Sequence, residues 1–281
     1  HVVTRRQRQM CIRDRYGHYP EGGRKPYNML EIIKRFVDDS EVLEYKKDYG
    51  KSIICAYARV DGWAVGIVAN QRTVIKTKKG EIQLGGVIYS DSADKAARFI
   101  MNCNQKKIPL VFLQDVTGFM VGSRSEHGGI IKDGAKMVNA MSNSVVPKFT
   151  IVVGNSYGAG NYAMCGKAYD PRLIVAWPTA KMAVMGGSQA AKTLLQIQVA
   201  SKKKRGEVIS DAEQQRMLDE ITAKYDRQTK PYYAAARLWV DALIDPIETR
   251  KVISMGIAAA NHAPILKPYA CLLYTSDAAD E

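Results

Sequence analysis

The sequence has few cysteines and histidines, the residues that most often build disulfides, metal centres and acid–base sites. It contains five cysteines and four histidines in 281 residues, and no two cysteines form a Cys-x-x-Cys pair. This usage is typical of a reducing compartment and predicts neither a disulfide framework nor a zinc site. We therefore expect chemistry that needs no metal ligand.

Long apolar runs are also missing. No run reaches the roughly 18 residues that a membrane span needs, so we expect no membrane association. The formal net charge is +13 at pH 7, and such an excess favours acidic small molecules or acidic partners. No nucleic-acid-binding motif accompanies the charge. We expect no nucleic-acid partner.

The two ends of the chain do not have the character of selected protein sequence. When Met10-Cys11-Ile12 is written as codons and its reverse complement is read one frame over, it gives the core of Leu-Tyr-Thr-Ser at residues 273–276. Both ends thus match one sequencing adapter translated on opposite strands. We expect residues 1–15 and 271–281 to be adapter-derived and unpacked, and we leave them out of fold prediction. The net charge of the chain stays strongly positive when these residues are left out.

The sequence between these ends alternates strand and helix patterns. Asp61-Gly62 separates two apolar runs and predicts a hairpin, Lys76–Glu81 predicts a solvated loop, and Ser92 is a candidate N-cap. This alternation predicts an α/β domain whose helices cover its strands. The predicted strands are 52–60, 63–69, 108–113, 148–153, 173–176 and 181–185, and the predicted helices are 29–37, one from 92, 129–143, one opened by 186–187, 211–228 and 246–260.

Two of these strands end in glycines. Gly118 and Gly122 follow the strand 108–113, and Gly158 and Gly160 follow the strand 148–153 just before a predicted helix. Bare backbone N–H groups at such a place bind a phosphate or an oxyanion formed during a reaction. Ligands of α/β domains also bind where strands end and helices begin. The turns are therefore the candidate site.

A serine hydrolase is one interpretation of the second turn. Gly154-Asn155-Ser156-Tyr157-Gly158 fits the G-x-S-x-G pattern of a nucleophile elbow, and Asp241, Asp245 and His262 follow in the order of a hydrolase triad. The alternative is that His262 lies at a helix end and that Asp245 is the N-cap of the last helix.

Five separated motifs resemble a known family more specifically than that short pattern does. Residues from about 25 to 265 closely resemble the carboxyltransferase (beta) subunit of biotin-dependent acyl-CoA carboxylases, and most resemble the methylcrotonyl-CoA type. The motifs are IPLVFLQDVTGFMVG (108–122), GGIIKDGAKMV (128–138), NSYGAGNYAMCGKAYDPR (155–172), WPTAKMAVMGGSQAA (177–191) and DPIETRKV (245–252). The resemblance implies a crotonase-like α/β fold, a spiral of β-β-α units, of which this chain holds the second, biotin-facing copy.

The resemblance also implies the chemistry. The family moves CO2 from carboxybiotin to the carbon of an acyl-CoA enolate, and backbone N–H donors stabilise the negative charges. By resemblance the donors are Gly160 and Asn161, opposed by Gly118 and Phe119. The implied biotin and substrate contacts are Tyr157, Gly158, Ala159, Tyr162, Gly128, Gly129, Met185, Gly186 and Gly187.

Each glycine has a structural alternative, because it can also serve a tight turn or a close helix contact. Against that alternative, we expect Gly160→Val to abolish carboxyl transfer and leave folding intact.

The resemblance implies an enzyme that is inactive as this fragment alone, with acyl-CoA as substrate and a biotin carboxylase and biotin carrier alpha subunit as partner. It also implies a homo-oligomer in a bacterial cytoplasm or, for a eukaryote, the mitochondrial matrix. Residues 16–50 are predicted to form a linker helix and lead-in, 51–265 the C-terminal carboxyltransferase domain and 266–270 a trailing native segment. A biotin-dependent decarboxylase and a non-catalytic, subunit-binding fragment stay open as alternatives.

Overall fold

A computed structural model describes residues 26–77, 80–205 and 210–262, so the predictions for residues 1–15 and 266–281 lie outside the described residues. The helices are α1 Met29–Phe36, α2 Ser90–Gln105, α3 Ser123–His127, α4 Ile130–Ser142, α5 Gly158–Ala163, α6 Gly187–Lys204, α7 Asp211–Gln228, α8 Pro231–Ala235 and α9 Thr249–Ala260. The strands are β1 Leu43–Glu44, β2 Ile53–Val60, β3 Trp63–Asn70, β4 Ile75–Lys76, β5 Ile82–Gln83, β6 Val87–Ile88, β7 Leu110–Val116, β8 Gly118–Phe119, β9 Lys148–Tyr157, β10 Leu173–Ala176, β11 Lys181–Ala183 and β12 Ala242–Leu243.

Eight of these strands form one sheet. Seven follow the order β1-β2-β3-β7-β9-β10-β12, and β11 pairs with the carboxyl end of β9. β1, β2 and β3 pair antiparallel, and the strands from β3 onward pair parallel. Asp61 and Gly62 both have positive φ at the β2–β3 turn, which confirms the predicted hairpin. The α/β prediction is confirmed as well.

Helices cover both faces of the sheet. One apolar cluster joins α1 and α9 to the sheet, and a second joins α2, α4 and α5 to its other face. The buried residues of α1 are Met29, Ile32, Ile33 and Phe36. Since burying each contributes about 1.5–3 kcal/mol, the predicted lead-in helix is an integral layer of the domain.

A polar clasp joins α1, α9 and the β2–β3 hairpin. Arg250 of α9 forms an ion pair with Asp38 and donates a hydrogen bond of 3.0 Å to the carbonyl oxygen of Phe36. The Asp38 carboxylate also accepts from the amides of Asp61 at 2.9 Å and Gly62 at 2.7 Å. These contacts bring the first and last described helices to the same point of the sheet.

Two local predictions need correction. Ser92 is not the N-cap of α2, which begins at Ser90; Tyr89 is the N-cap, and the Ser92 hydroxyl accepts from the Tyr89 amide at 2.9 Å. The predicted loop at Lys76–Glu81 needs correction at its first residue, because Lys76 belongs to β4, which pairs antiparallel with β5. The Ser92 difference arises because a serine at the third helical position bonds back to the backbone of the cap. β6 and β8 form another small, parallel pair.

Candidate functional site

β9 runs directly into the short helix α5, as the glycine-rich turn predicted. Gly158, the first residue of α5, has a φ of +50°, and an ideal Cβ there would lie 2.8 Å from the carbonyl oxygen of Val184. Glycine is therefore required at this position. The amides in the first turn of a helix have no acceptor within the helix, so those of Gly158, Ala159 and Gly160 are candidate donors to an anion.

The two glycine turns are in contact. An ideal Cβ on Gly160 would lie 2.5 Å from Val116 Cγ2 and 3.2 Å from the Cα of Gly118. Gly118 itself has a φ of +144°, and nothing lies within 4 Å of an ideal Cβ there. The structure thus places both predicted turns at one edge of the sheet and leaves open space beside Gly118.

The packing of Gly160 corrects one expectation. We expected that Gly160→Val would leave folding intact, because a side chain there was expected to block ligand approach or to require a disallowed φ. The residue is buried against Val116 and its backbone is helical, without a positive φ. A side chain here collides with the end of β7, so the absent Cβ has a packing reason.

A chain of hydrogen bonds anchors α5 to the sheet. Asn161 Nδ2 donates to Ser156 Oγ at 2.7 Å, and Ser156 Oγ donates to Gln114 Oε1 at 2.7 Å. Gln114 Nε2 in turn donates to the carbonyl oxygen of Met164 at 2.8 Å. Because the Asn161 side chain is engaged in this relay, any contribution of Asn161 to the site would come from its backbone amide.

The hydrogen bonds of Ser156 in this relay are inconsistent with a serine hydrolase site. Ser156 is 2% exposed, and its partners among the described residues are amides rather than a histidine. Asp241 accepts from the Ile174 amide and from Lys167, while Asp245 caps the turn that precedes α9, as the alternative predicted. His262 is exposed just beyond the end of α9. No triad is assembled from these residues.

A buried carboxylate lies beneath the second turn. Asp115 is fully buried; its Oδ1 accepts from the Asn155 amide at 2.8 Å, and its Oδ2 accepts from the Tyr27 hydroxyl at 2.7 Å. Arg72 Nε lies 3.2 Å from the same Oδ2 and forms an ion pair with it. Burial raises the pKa of the Asp115 carboxyl, and the positive charge of Arg72 opposes that shift.

A cavity of about 740 Å³ opens beside α5, between it and the pair of helices α6 and α7. Four of the predicted contacts line it: Gly158, Asn161, Tyr162 and Met185. Across the cavity the Tyr225 hydroxyl donates to the Met185 carbonyl oxygen at 2.7 Å. The further lining residues include Met182, Leu194, Ile197, Tyr233 and Trp239, so most of the wall is apolar and one side carries the glycine turn.

The two tyrosines of the turn differ in environment. Tyr157 is half-buried, and burial raises the pKa of its hydroxyl to about 12, with the charge of Asp115 as the next cause. Tyr162 is 49% exposed and packs edge-on against Tyr169, with ring centroids 6.0 Å apart. Both hydroxyls can donate hydrogen bonds, but only Tyr162 lines the cavity.

The other predicted glycines lie at helix ends. Gly128 ends α3, and Gly129, with a φ of +94°, is the N-cap of α4. Gly186 is the N-cap of α6 and Gly187 is its first residue. None of these four lines the cavity beside α5. Phe119 reaches α4, where its ring would lie 2.9 Å from an ideal Cβ on Gly134.

Sequence reasoning missed the polar residues that support the turns. Gln114 and Asp115 end a fully buried strand, a position that could have identified them as buried polar groups with partners. Arg72 and Tyr27 carried no comparable signal, since they lie 43 and 88 residues from Asp115 in the chain.

Within the described ranges, no group of three or more His, Cys, Asp or Glu residues could hold a metal ion. None of the helices in the same part of the chain is both long and apolar enough to cross a bilayer.

Comparison with known proteins identifies the family of the chain. A family profile described as the carboxyl transferase domain matches residues 4–272. The biotin-dependent 3-methylcrotonyl-coenzyme A carboxylase beta1 subunit of Mycobacterium tuberculosis is 46% identical over 250 residues, which cover 89% of this chain and 45% of that protein. The methylmalonyl-CoA decarboxylase subunit alpha of Propionigenium modestum is 38% identical over 234 residues, 83% of this chain and 42% of its own length.

A solved structure shares the fold. The beta subunit of P. aeruginosa geranyl-CoA carboxylase superposes with a TM-score of 0.76 at 39% identity, over 92% of this chain and 46% of that one. The chain therefore spans about half the length of the relatives that it matches.

Proposed function

The chain belongs to the carboxyl transferase domain family and has the crotonase-like α/β fold, and from this premise we propose that it is the biotin-facing half of the carboxyltransferase subunit of a biotin-dependent acyl-CoA carboxylase. The observation that carries the proposal is the contact between the turns at Gly118 and Gly160 beside an apolar cavity. Such a site offers backbone donors and no acid–base triad. This suits transfer of a carboxyl group from a ureido nitrogen to a carbon, during which negative charge develops on the ureido and thioester oxygens.

The residues present fit a biotin ring. The cavity beside α5 has room for a small bicyclic group, and its wall is largely apolar. The free space at Gly118 would be occupied by a Cβ of any other residue. Biotin, when bound, supplies the carboxyl group that is transferred, and it is proposed to arrive on a carrier domain of a partner alpha subunit.

We assign each part of the site a role. The amide of Gly160, which has no acceptor within α5, is assigned to the ureido oxygen. Asn161, the fourth residue of α5, is the second donor that the family resemblance implies, and the turn Gly118-Phe119 supplies the opposing donor. Gly158 and Ala159 shape the approach. These groups orient the ring and stabilise negative charge without moving, because the relay through Ser156 and the contact with Val116 fix α5. Preorganised donors of this kind lower the barrier without reorganising during the reaction.

The remaining predicted contacts are proposed to bind at the margins of the site. Tyr162 and Met185 face the ligand from the cavity wall. Tyr157 lies behind the turn with a protonated hydroxyl. Gly129, Gly186 and Gly187 let two helices begin close to the substrate, and Gly128 ends the helix before the first of them.

The acyl substrate is proposed to be a CoA thioester of the methylcrotonyl type, consistent with the 46% identical relative. The net charge of +13 favours a polyanionic substrate such as CoA. Because one relative is a subunit of a decarboxylase, decarboxylation of an acyl-CoA is the alternative reaction. A subunit-binding role without catalysis is the alternative of another class. We also propose that the subunit forms a homo-oligomer and that it is located in a bacterial cytoplasm or a mitochondrial matrix.

The test compares two glycines in the full-length enzyme with its alpha subunit. Gly118 and Gly62 both have positive φ and open space around an ideal Cβ, so alanine imposes backbone strain at either one. Only Gly118 lies in the proposed site. We expect Gly118→Ala to lower kcat for carboxylation of 3-methylcrotonyl-CoA by roughly 100-fold, since a displaced oxyanion donor costs about that much.

Gly62→Ala is the matched control and should change stability but not kcat. Labelled bicarbonate follows carboxylation, and decarboxylation of the carboxylated thioester is assayed in parallel to separate the two directions. Equal kcat values for the two variants, or a wild-type enzyme without activity in either direction, would contradict the proposal.

A further inference from the structure

The site stands on an irregularity in the pairing of β7 with β9. Gln114 pairs with Val152 and Val116 pairs with Ser156, so a single residue of β7, Asp115, lies opposite three residues of β9. Extra residues of this kind bend a strand and change the direction of the segment after it. Here that segment is the glycine turn and α5.

The Asp115 carboxylate fills this irregularity. Its Oδ1 accepts from the Asn155 amide at 2.8 Å, which replaces a hydrogen bond of the interrupted ladder. An ideal Cβ on Gly154 would lie 2.5 Å from Asp115 Cγ, so the glycine lets the carboxylate pack against the strand. The last two residues before Ser156 are thus held by one buried side chain.

Arg72 extends the same support to the first turn. Its Nη1 donates to the Gly85 carbonyl oxygen at 3.3 Å, and a Cβ on Gly86 would collide with it. The Gly86 carbonyl oxygen accepts from the amide of Thr117 at 2.8 Å and from its hydroxyl at 3.1 Å. Thr117 immediately precedes Gly118, so the guanidinium is linked to the first turn through the loop that it fills.

The segment before α1 closes the cluster. The Tyr27 hydroxyl donates to Asp115 Oδ2 at 2.7 Å. Next to it, Gln71 Oε1 accepts from the Met29 amide at 3.0 Å, and Gln71 Nε2 donates to Asn28 Oδ1 at 2.8 Å. The beginning of α1 is therefore docked onto the residue that precedes Arg72.

We propose that the Arg72–Asp115 ion pair, held by Tyr27, is a positioning device that sets the two glycine turns at the spacing needed for carboxyl transfer. This inference rests on the proposed function, because it assigns a role in the reaction to residues that do not touch the substrate. One charge pair supports both turns, since Asp115 holds the strand before Ser156 and Arg72 holds the loop before Gly118. A shift at the pair therefore changes the distance between the two sets of donors.

The experiment uses the full-length enzyme with its alpha subunit, and it measures kcat and KM for acyl-CoA together with the melting temperature. Asp115→Asn is expected to lower kcat by roughly 100-fold, since a displacement near 1 Å costs about that much, while KM changes less than about threefold. The double variant Arg72→Met/Asp115→Leu should lose no more kcat than Arg72→Met alone or Asp115→Leu alone, because the effects of residues that act as a unit are not additive.

Tyr27→Phe removes only one hydroxyl, and it replaces Asp115→Asn as the test variant if Asp115→Asn does not fold. It is expected to lower kcat by roughly tenfold, less than Asp115→Asn does, because the ion pair with Arg72 remains and the turns are displaced by less. Asn104→Ala is the matched control: Asn104 is buried and accepts from the Val145 amide at 2.8 Å, and both residues precede the strands β7 and β9 that the two turns follow. It should lower the melting temperature and leave kcat unchanged.

The outcomes separate the two proposals. A wild-type enzyme without carboxyl transfer overturns the function and this inference together. An active wild-type enzyme in which folded Asp115→Asn or Tyr27→Phe keeps kcat within about threefold overturns the inference alone. A loss of kcat in Asn104→Ala equal to that in Tyr27→Phe also overturns it, because the effect would then follow from stability.

Discussion

The contact between Gly160 and Val116 predicts a specific energetic coupling. Gly160 has helical backbone, so alanine is allowed there by φ, but its Cβ would lie 2.5 Å from Val116 Cγ2 and 3.1 Å from Val116 Cγ1. Both atoms belong to a buried side chain in a packed strand, which cannot move aside without disturbing the core. Overpacking of this kind costs about 1–3 kcal/mol. We therefore expect Gly160→Ala to destabilise the domain by about that amount.

Val116→Ala removes the obstructing methyl groups and supplies the control. Alone it destabilises by leaving a small void, but in combination with Gly160→Ala the new methyl fills that void. The double variant should be more stable than the sum of the two single effects predicts, with a coupling of about 0.5–3 kcal/mol.

Denaturation midpoints in urea, measured on the full-length enzyme and each variant, give the coupling. Carboxyl transfer measured on the same samples separates stability from catalysis. A neutral Gly160→Ala, or strictly additive single effects, would refute the packing explanation and restore ligand approach as the reason for this glycine.

Two further predictions concern the same turn. Ser156→Ala leaves Gln114 Oε1 and Asn161 Nδ2 without their buried partner; it should cost about 1–3 kcal/mol of stability while most carboxyl transfer is retained, and covalent labelling of Ser156 by a fluorophosphonate would contradict this. Burial raises the pKa of Tyr157 to about 12, so its contribution to stability is fully present below the unfolded pKa near 10 and is lost as the pH rises toward 12. Tyr157→Phe should therefore show a shallower fall in melting temperature over that range than the wild-type protein, and parallel curves would count against the burial of this hydroxyl.

Local signals in the sequence predicted the elements well where the signal and its partner are close together. The helix Asp211–Gln228 was predicted with its observed bounds, because Ser210 accepts from the Glu213 amide at its start. Asp245 likewise acts as the predicted cap. Ser92 misled the prediction because a serine at the third helical position can bond back to the cap and resemble it.

The turns themselves were predictable, whereas their support was not. Glycines after buried strands marked both turns, but the Arg72–Asp115 pair joins residues 43 positions apart. Its formation depends on how β3 and β7 lie side by side in the sheet. Residue spacing carries no information on that pairing, and the role of Tyr27 depends on packing of α1 that lies still further away in sequence.

The clasp at Arg250 has a consequence for how the domain is made in a cell. Its hydrogen bond to the Phe36 carbonyl oxygen joins residues 214 positions apart, so the clasp between α1 and α9 cannot form until the ribosome has synthesised α9. At about 5–20 residues per second, that interval is roughly 10–40 s. During this time the apolar face that α1 and α9 later share is incomplete. We therefore expect part of the apolar cluster that α1 shares with α9 to stay uncovered until α9 has been synthesised.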